Sequence, residues 1–178
     1  TLHMLKLVNQ ILDFRKIQNG KMRLHVSCFN LTELLAIFEK EFMIMAEENN
    51  RHLKVQNQIN QTIYTDKTLL KQVMTILFDN ALKYTEDGGH IHLQLDIRER
   101  QLIFSVADDG LGISDADKKK IFDRFYRVDK ARTRQKGGFG LGLSLAKQIL
   151  DTLNGSIIVK NNLPKGSIFE IRLAVKIK

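Results

Sequence analysis

The sequence predicts an α+β fold: a two-layer α/β sandwich with one mixed sheet covered on one face by helices, preceded by part of a helical hairpin. Three observations carry that expectation. Ile91, Leu93, Leu95 and Ile97 alternate with polar residues and are answered by Leu102, Phe104 and Val106, the pattern of a half-buried hairpin. Phe169, Ile171, Leu173 and Val175 repeat the alternation near the end of the chain. The stretches with helical spacing are long and stand apart from these strands, which argues for helices laid over one face of a sheet.

The elements follow in order. Residues 1–19 carry Leu2, Met4, Leu5, Leu7, Val8, Ile11, Leu12, Phe14 and Ile17, apolar around much of a helix that needs neighbours on more than one side. Gly20 stops it. This stretch reads as the tail of a helical hairpin. Residues 22–28 read as a short strand in which Cys28 is expected as a half-buried thiol. Asn30 caps a helix running to about Asn49, with Leu34, Leu35, Ile37, Phe38, Phe42 and Met45 on its apolar side. Residues 52–57 form a strand. Asp66 caps the next helix, which turns Leu69, Leu70, Val73, Met74, Leu77 and Leu82 inward and ends in Asn80–Tyr84. Glu86-Asp87-Gly88-Gly89 is a turn opening the hairpin. A helix from about Ser114, a basic segment, a helix over about 140–153 and strands over about 155–160 and 167–174 complete the chain.

Composition narrows the function classes. The 178 residues, 43% hydrophobic and 27% charged, suit one domain with a sizeable core plus a short extension. No apolar run approaches the roughly 20 residues of a membrane helix. The start does not resemble a signal peptide, because Lys6, Asn9, Gln10 and Asp13 interrupt its apolar residues. One cysteine excludes an intramolecular disulfide framework and fits a reducing compartment. The net charge of +8 raises nucleic-acid binding, but its location argues against that. Nine cations between 118 and 136 face only Asp123 and Asp129. That run reads either as a solvated surface or as a local field attracting phosphate. The few aromatics in it, Phe122, Phe125 and Tyr126, do not make a stacking platform for bases.

Three motifs bear the chemistry. Asp108 ends a strand and precedes Asp109-Gly110-Leu111-Gly112-Ile113. A carboxylate there can accept a hydrogen bond from an adenine amino group, and the glycines let the backbone approach a flat base. An ordinary strand-to-helix turn is the alternative, and alone the motif is a weak signal. Gly137-Gly138-Phe139-Gly140-Leu141-Gly142 opens a helix, where free N–H groups and the positive helix end favour an anion. A flexible surface loop would look the same. It lacks the Gly-Lys-Ser/Thr ending of a Walker loop, so a P-loop enzyme is disfavoured. Asn80, Lys83 and Tyr84 share a helical face near a helix end. An amide oxygen can ligate magnesium and an ammonium can balance phosphate.

In this order the motifs resemble the ATP-binding domain of sensor histidine kinases, within the GHKL superfamily. The resemblance spans about residues 30–175. It includes an N box at 79–85, a G1 box at 108–112, an F box at Phe122-Asp123-Arg124-Phe125-Tyr126-Arg127 and a G2 box at 137–142. Gly166-Ser167 is similar to the family's final glycine motif. Residues 5–21 resemble the second helix of the dimerisation domain. The resemblance therefore implies a Bergerat-type fold over 22–178, with 1–21 a remnant of the dimerisation and phosphoacceptor domain.

The same resemblance implies the cofactors and roles. Asn80 would ligate Mg2+, Lys83 would approach the phosphates of ATP, Tyr84 would flank the nucleotide and Asp108 would take the adenine amino group. Gly110, Gly112 and Ile113 would shape the base pocket, with Ser167 beside it. Arg127, Lys130 and Arg132 would belong to a mobile ATP lid spanning about Val128 to Gly137. Gly138, Gly140, Leu141 and Gly142 would cradle phosphates. The γ-phosphoryl group would pass to a histidine on the same chain or a dimer mate, and then to a response regulator. The parent is expected to be a membrane-bound homodimer with this segment in the cytoplasm. This segment would contact neither membrane nor nucleic acid.

Two positions depart from the family pattern. Ile76 stands where a polar Asn or Glu is usual and offers no group to activate water, which disfavours a hydrolase. Phe139 replaces a Thr or Ser and is expected to pack against apolar neighbours instead of touching phosphate. Of His3, His25, His52, His90 and His92, none lies in an acceptor-like helix, so the acceptor helix is expected upstream. A nucleotide-binding module that regulates partners without phosphoryl transfer is the alternative reading.

Overall fold

A computed structural model describes residues 8, 12, 15, 23–57, 59–128 and 139–178. The expected hairpin helix lies largely outside the described residues, and so does the 21/22 boundary. Residues 8, 12 and 15 are helical.

Both long helices begin where their caps place them. The Asn30 side chain accepts hydrogen bonds from the Thr32 and Glu33 amides and starts α1 (Leu31–Glu48). Asp66 accepts from the Leu69 amide at 3.0 Å and starts α2 (Lys67–Tyr84). Its other oxygen takes the His25 amide at 2.8 Å, tying the incoming chain to the same cap. Each helix buries an apolar stripe, Leu34, Leu35, Phe38 and Phe42 on α1 and Leu70, Val73, Met74 and Leu77 on α2.

The stripes face a five-stranded sheet. Its strands are β2 (His52–Asn57), β4 (His90–Arg98), β5 (Gln101–Asp108), β6 (Gly155–Asn161) and β7 (Ser167–Ala174), in the order β2-β4-β5-β7-β6. Only β2 runs parallel to its neighbour, which makes the sheet mixed. Period-2 alternation sorts the faces: Ile91, Leu93, Leu95, Leu102, Phe104, Val106, Phe169, Ile171 and Leu173 are buried beneath the helices. A third helix, α4 (Gly142–Thr152), adds Leu145, Ile149 and Leu150 to the same layer. The expected sandwich is the observed one.

The structure adds a second sheet that the sequence reading did not contain. β1 (Val26–Asn30), β3 (Thr62–Asp66) and β8 (Lys176–Ile177) pair in the order β1-β3-β8, all antiparallel. β3 runs straight into the Asp66 cap with no turn residues to announce it. β1 also starts later than expected and merges with the Asn30 cap. Cys28 is exposed, not half-buried. β1 is an edge strand, and of its alternating residues Phe29 turns to the core while Val26 and Cys28 point away. The helix expected from Ser114 is a single turn, α3 (Asp115–Lys118), followed by a 3-10 turn over Lys120–Phe122 that buries Ile121. α4 starts at Gly142 because Leu141 is its N-cap, its carbonyl accepting from the Leu145 amide and the Ser144 hydroxyl.

Candidate nucleotide site

The end of α2 is held from outside the helix. Arg51 is almost fully buried, donates from Nε to the Thr85 carbonyl at 3.0 Å and pairs with Asp87 at 2.7 Å. That fixes the turn carrying Asn80, Lys83 and Tyr84 beside the end of β5.

There the two adjacent carboxylates diverge. Asp109 turns back to β4, its Oδ1 taking the His90 amide at 2.9 Å and its Oδ2 meeting His90 Nδ1 at 3.1 Å. Asp108 is 3% exposed, and its Oδ1 accepts from the Gly110 amide at 2.9 Å and the Ser167 amide at 3.3 Å. Both bonds fall on one oxygen. Burial pushes the Asp108 carboxyl up from its ordinary 3.8 to about 6, with the two amides pulling down and neighbouring Asp109 pushing up.

Two glycines make this geometry possible by close approach. A Cβ on Gly110 would lie 2.3 Å from the Tyr84 carbonyl oxygen and 2.8 Å from Asp108 Oδ1. A Cβ on Gly166 would lie 1.8 Å from the Asp108 carbonyl oxygen, at a φ of +113° that side chains rarely adopt. That same carbonyl accepts from Asn162 Nδ2 at 2.9 Å. Gly166→Ala should therefore destabilise the domain by about 2 kcal/mol, since the turn must shift to relieve a backbone clash. Urea unfolding measures this, and a change within error would mean the turn is not fixed as described.

These elements enclose a cavity of about 400 Å³. Of the residues expected at the site, it is lined by Asn80, Lys83, Tyr84, Asp108, Gly112, Ile113, Arg127, Gly140 and Ser167. Five stretches of the chain thus converge. Gly110 supports the wall from behind, Leu141 is buried in the core, and Gly142 begins α4 against Ile76. None of these three side-chain positions lines the cavity. Lys130, Arg132, Gly138 and all of the expected lid except Val128 lie outside the described residues. Burial raises the Tyr84 phenol's pKa, and the Arg127 guanidinium partly offsets this.

The lining also includes Val128, where the expected lid begins, and Leu111, Ile121, Tyr126, Phe139, Leu143 and Phe169, to which the sequence reading gave no contact with nucleotide. Phe139 is on the cavity wall and 42% exposed. Ile76 is partly buried against the core, and its Cγ2 would be 3.4 Å from a Cβ at Gly142. Its aliphatic chain fills the space beneath the start of α4.

Residues 65–177 match the family of histidine kinase-, DNA gyrase B- and HSP90-like ATPases, HATPase_c. The chain belongs to that family. Within the family its relatives are sensor kinases. It is 62% identical over 135 residues to sensor protein CiaH of Streptococcus pneumoniae, covering 76% of this chain and 30% of CiaH. It is 33% identical over 178 residues to sensor histidine kinase WalK of Bacillus subtilis, covering 99% of this chain and 29% of WalK. The chain thus spans less than a third of the length of these relatives.

The solved structures agree. Full-length ShkA in complex with AMPPNP superimposes with a TM-score of 0.86 at 26% identity, over 99% of this chain and 36% of that one. The nucleotide-free catalytic domain of histidine kinase ThkA gives 0.71 at 27% identity, over 86% of this chain and 96% of that domain. The sandwich described above is therefore the ATP-binding fold of the histidine-kinase branch. No helix among the described residues is long and apolar enough to cross a membrane.

Proposed function

We propose that the cavity binds ATP with Mg2+ and that the domain transfers the γ-phosphoryl group to a histidine side chain of the parent kinase. The observation that carries this reading is the donor and acceptor set lining one cavity. A buried carboxylate, Asp108, stands with an amide, an ammonium and a guanidinium, from Asn80, Lys83 and Arg127. A carboxylate accepts from an exocyclic amine, and the cations and the amide suit phosphates and their metal ion. Asp108 would take the adenine amino group, with Gly110, Gly112, Ile113 and Ser167 shaping the base end. Lys83, Arg127 and the backbone from Gly138 to Gly142 would meet phosphates, with Lys130 and Arg132 adding charge. A cavity of about 400 Å³ has room for a nucleotide of this class.

Mg2+ would supply charge neutralisation between the phosphate oxygens when bound. Asn80 offers it one neutral oxygen, so phosphate and water must provide the other ligands. The chain's own contribution is positioning and charge, as in other phosphoryl transfers. An imidazole nitrogen attacks the γ-phosphorus, an N–P bond forms, and ADP leaves with the bridging oxygen. Histidines 25, 52, 90 and 92 do not line the cavity, so the acceptor is assigned to a segment outside it. The phosphoryl group would then pass to an aspartate of a response regulator, in a homodimeric, membrane-bound parent whose domain faces the cytoplasm.

The test uses γ-labelled ATP with Mg2+. This chain alone should bind ATP yet acquire no acid-labile phosphate, and the parent protein should acquire it on one histidine of another segment. Stoichiometric label on His3, His25, His52, His90 or His92 would overturn the assignment, as would a parent that binds ATP but never labels.

A further inference from the structure

Asp117 lines no part of the cavity, yet its two oxygens join two of the cavity's walls. Tyr126, which does line the cavity, donates its hydroxyl to Asp117 Oδ1 at 2.5 Å across nine residues of sequence. The Ser114 hydroxyl donates to Asp117 Oδ2 at 2.5 Å, and the Asp117 amide donates back to Ser114 Oγ at 3.2 Å. Ser114 directly follows Ile113, the last cavity residue of the turn after Asp108.

We propose that Asp117 is a positioning residue for nucleotide binding, holding the wall made by Tyr126, Arg127 and Val128 against the segment that leads away from Asp108. The proposal rests on the reading of the cavity as a nucleotide site. Helix capping accounts for only half of the arrangement. A Ser-x-x-Asp pair closes the first turn of α3, but α3 has four residues and needs no partner nine positions on. The Tyr126 bond is therefore extra to the cap.

The charge state suits the role. Hydrogen bonds from Ser114 and then Tyr126 hold the Asp117 carboxyl below its ordinary range. The bond to Asp117 raises the Tyr126 phenol in return. A carboxylate accepting from a phenol at this distance is a charge-assisted bond, roughly twice as strong as a neutral one. The wall's second anchor is the Phe125 amide, which donates to the Gly140 carbonyl at 2.9 Å at the entrance to α4. From these two anchors the chain leads Tyr126, Arg127 and Val128 along the cavity, with the hydroxyl of Tyr126 drawn away from it. Cutting the first anchor frees the tip of the Tyr126 ring and loosens the segment that carries Arg127.

Calorimetric titration of Mg-ATP into single and double variants tests this. Tyr126→Phe removes only the hydroxyl and should weaken binding about tenfold. Asp117→Ala, which also releases the Ser114 hydroxyl, should weaken it at least as much, and the double variant should be no more than about twofold worse than Asp117→Ala, because both changes remove the Tyr126–Asp117 bond. Asp117→Asn keeps a neutral acceptor for Tyr126 and should recover part of the loss, which a purely charge role would not predict. Tyr126→Phe binding within twofold of the unaltered protein overturns the proposal even if Asp117→Ala fails to fold. Additive losses in the double variant also overturn it. If the unaltered chain bound no nucleotide, the functional reading would fall instead, and these ratios could not arise.

Discussion

Asp108→Asn should lose Mg-ATP affinity by at least about a hundredfold, roughly 3 kcal/mol, while the free domain becomes no less stable at neutral pH. The amide oxygen can still accept from the Gly110 and Ser167 amides, so the local turn survives. What changes is the group left for the ligand. The second carboxylate oxygen becomes an NH2, and an adenine amino group would meet a donor where it needs an acceptor. Two facing donors with no water between them leave both unsatisfied.

The stability side follows from the carboxyl's raised pKa. The folded protein holds the Asp108 proton to about pH 6, against an ordinary value of 3.8. The folded state thus binds the proton more tightly than the unfolded chain. The stability this confers is fully present below 3.8 and is lost as pH rises through about 6, amounting to about 3 kcal/mol. An amide at this position does not titrate, so the denaturation midpoint of Asp108→Asn should vary less between pH 4 and pH 7 than the parent's. Nucleotide binding runs the other way. The ionised carboxylate is the better acceptor, so affinity should fall as pH drops below about 6 in the unaltered protein. ATP's own protonation enters both titrations equally, so subtracting the variant's profile isolates Asp108. An unaltered affinity in the variant would remove Asp108 from the base pocket.

What was legible in the sequence was local. Asn30 and Asp66 announce their helices because a cap bonds amides two or three residues away, and the structure has both bonds. The alternation in β4, β5 and β7 gave the buried face residue by residue. Asp108, Asn80 and Gly112 stood out because polar and glycine residues in ordered strand and helix patterns demand a reason.

The rest depends on contacts between distant segments. β3 and β8 are short and acquire strand character only by pairing, Ile63 with Ile177 across most of the chain. Ile121, Leu143 and Phe169 look like core residues in sequence, and nothing there distinguishes an apolar side chain facing a cavity from one facing another side chain. The bond from Tyr126 to Asp117 is invisible for the same reason. Cys28 shows the converse failure, since alternation gives two faces but does not say that β1 is an edge whose outer face meets solvent.

Asn80→Leu should reduce Mg-ATP binding by more than about a hundredfold and, more tellingly, abolish its dependence on the metal. Asn80 is in the penultimate turn of α2, on the side lining the cavity, four residues before Tyr84. Leucine keeps the approximate length of the side chain and favours helix slightly more than asparagine. The melting temperature without nucleotide should therefore hardly move. The lost group is one neutral oxygen, which a hard cation requires and an aliphatic chain cannot replace. For the unaltered protein, chelating Mg2+ should weaken ATP binding sharply, because Lys83 and Arg127 alone must then balance the phosphates. For Asn80→Leu, titrations with Mg2+ and with chelator should give the same weak affinity. Asn80→Asp, which restores an oxygen and adds a charge, should bring the metal dependence back. The comparison separates a ligand from a mere wall: loss of wall packing would lower affinity equally with and without metal and leave their ratio intact. A preserved ratio in Asn80→Leu would therefore take Asn80 out of the metal site and leave it as lining.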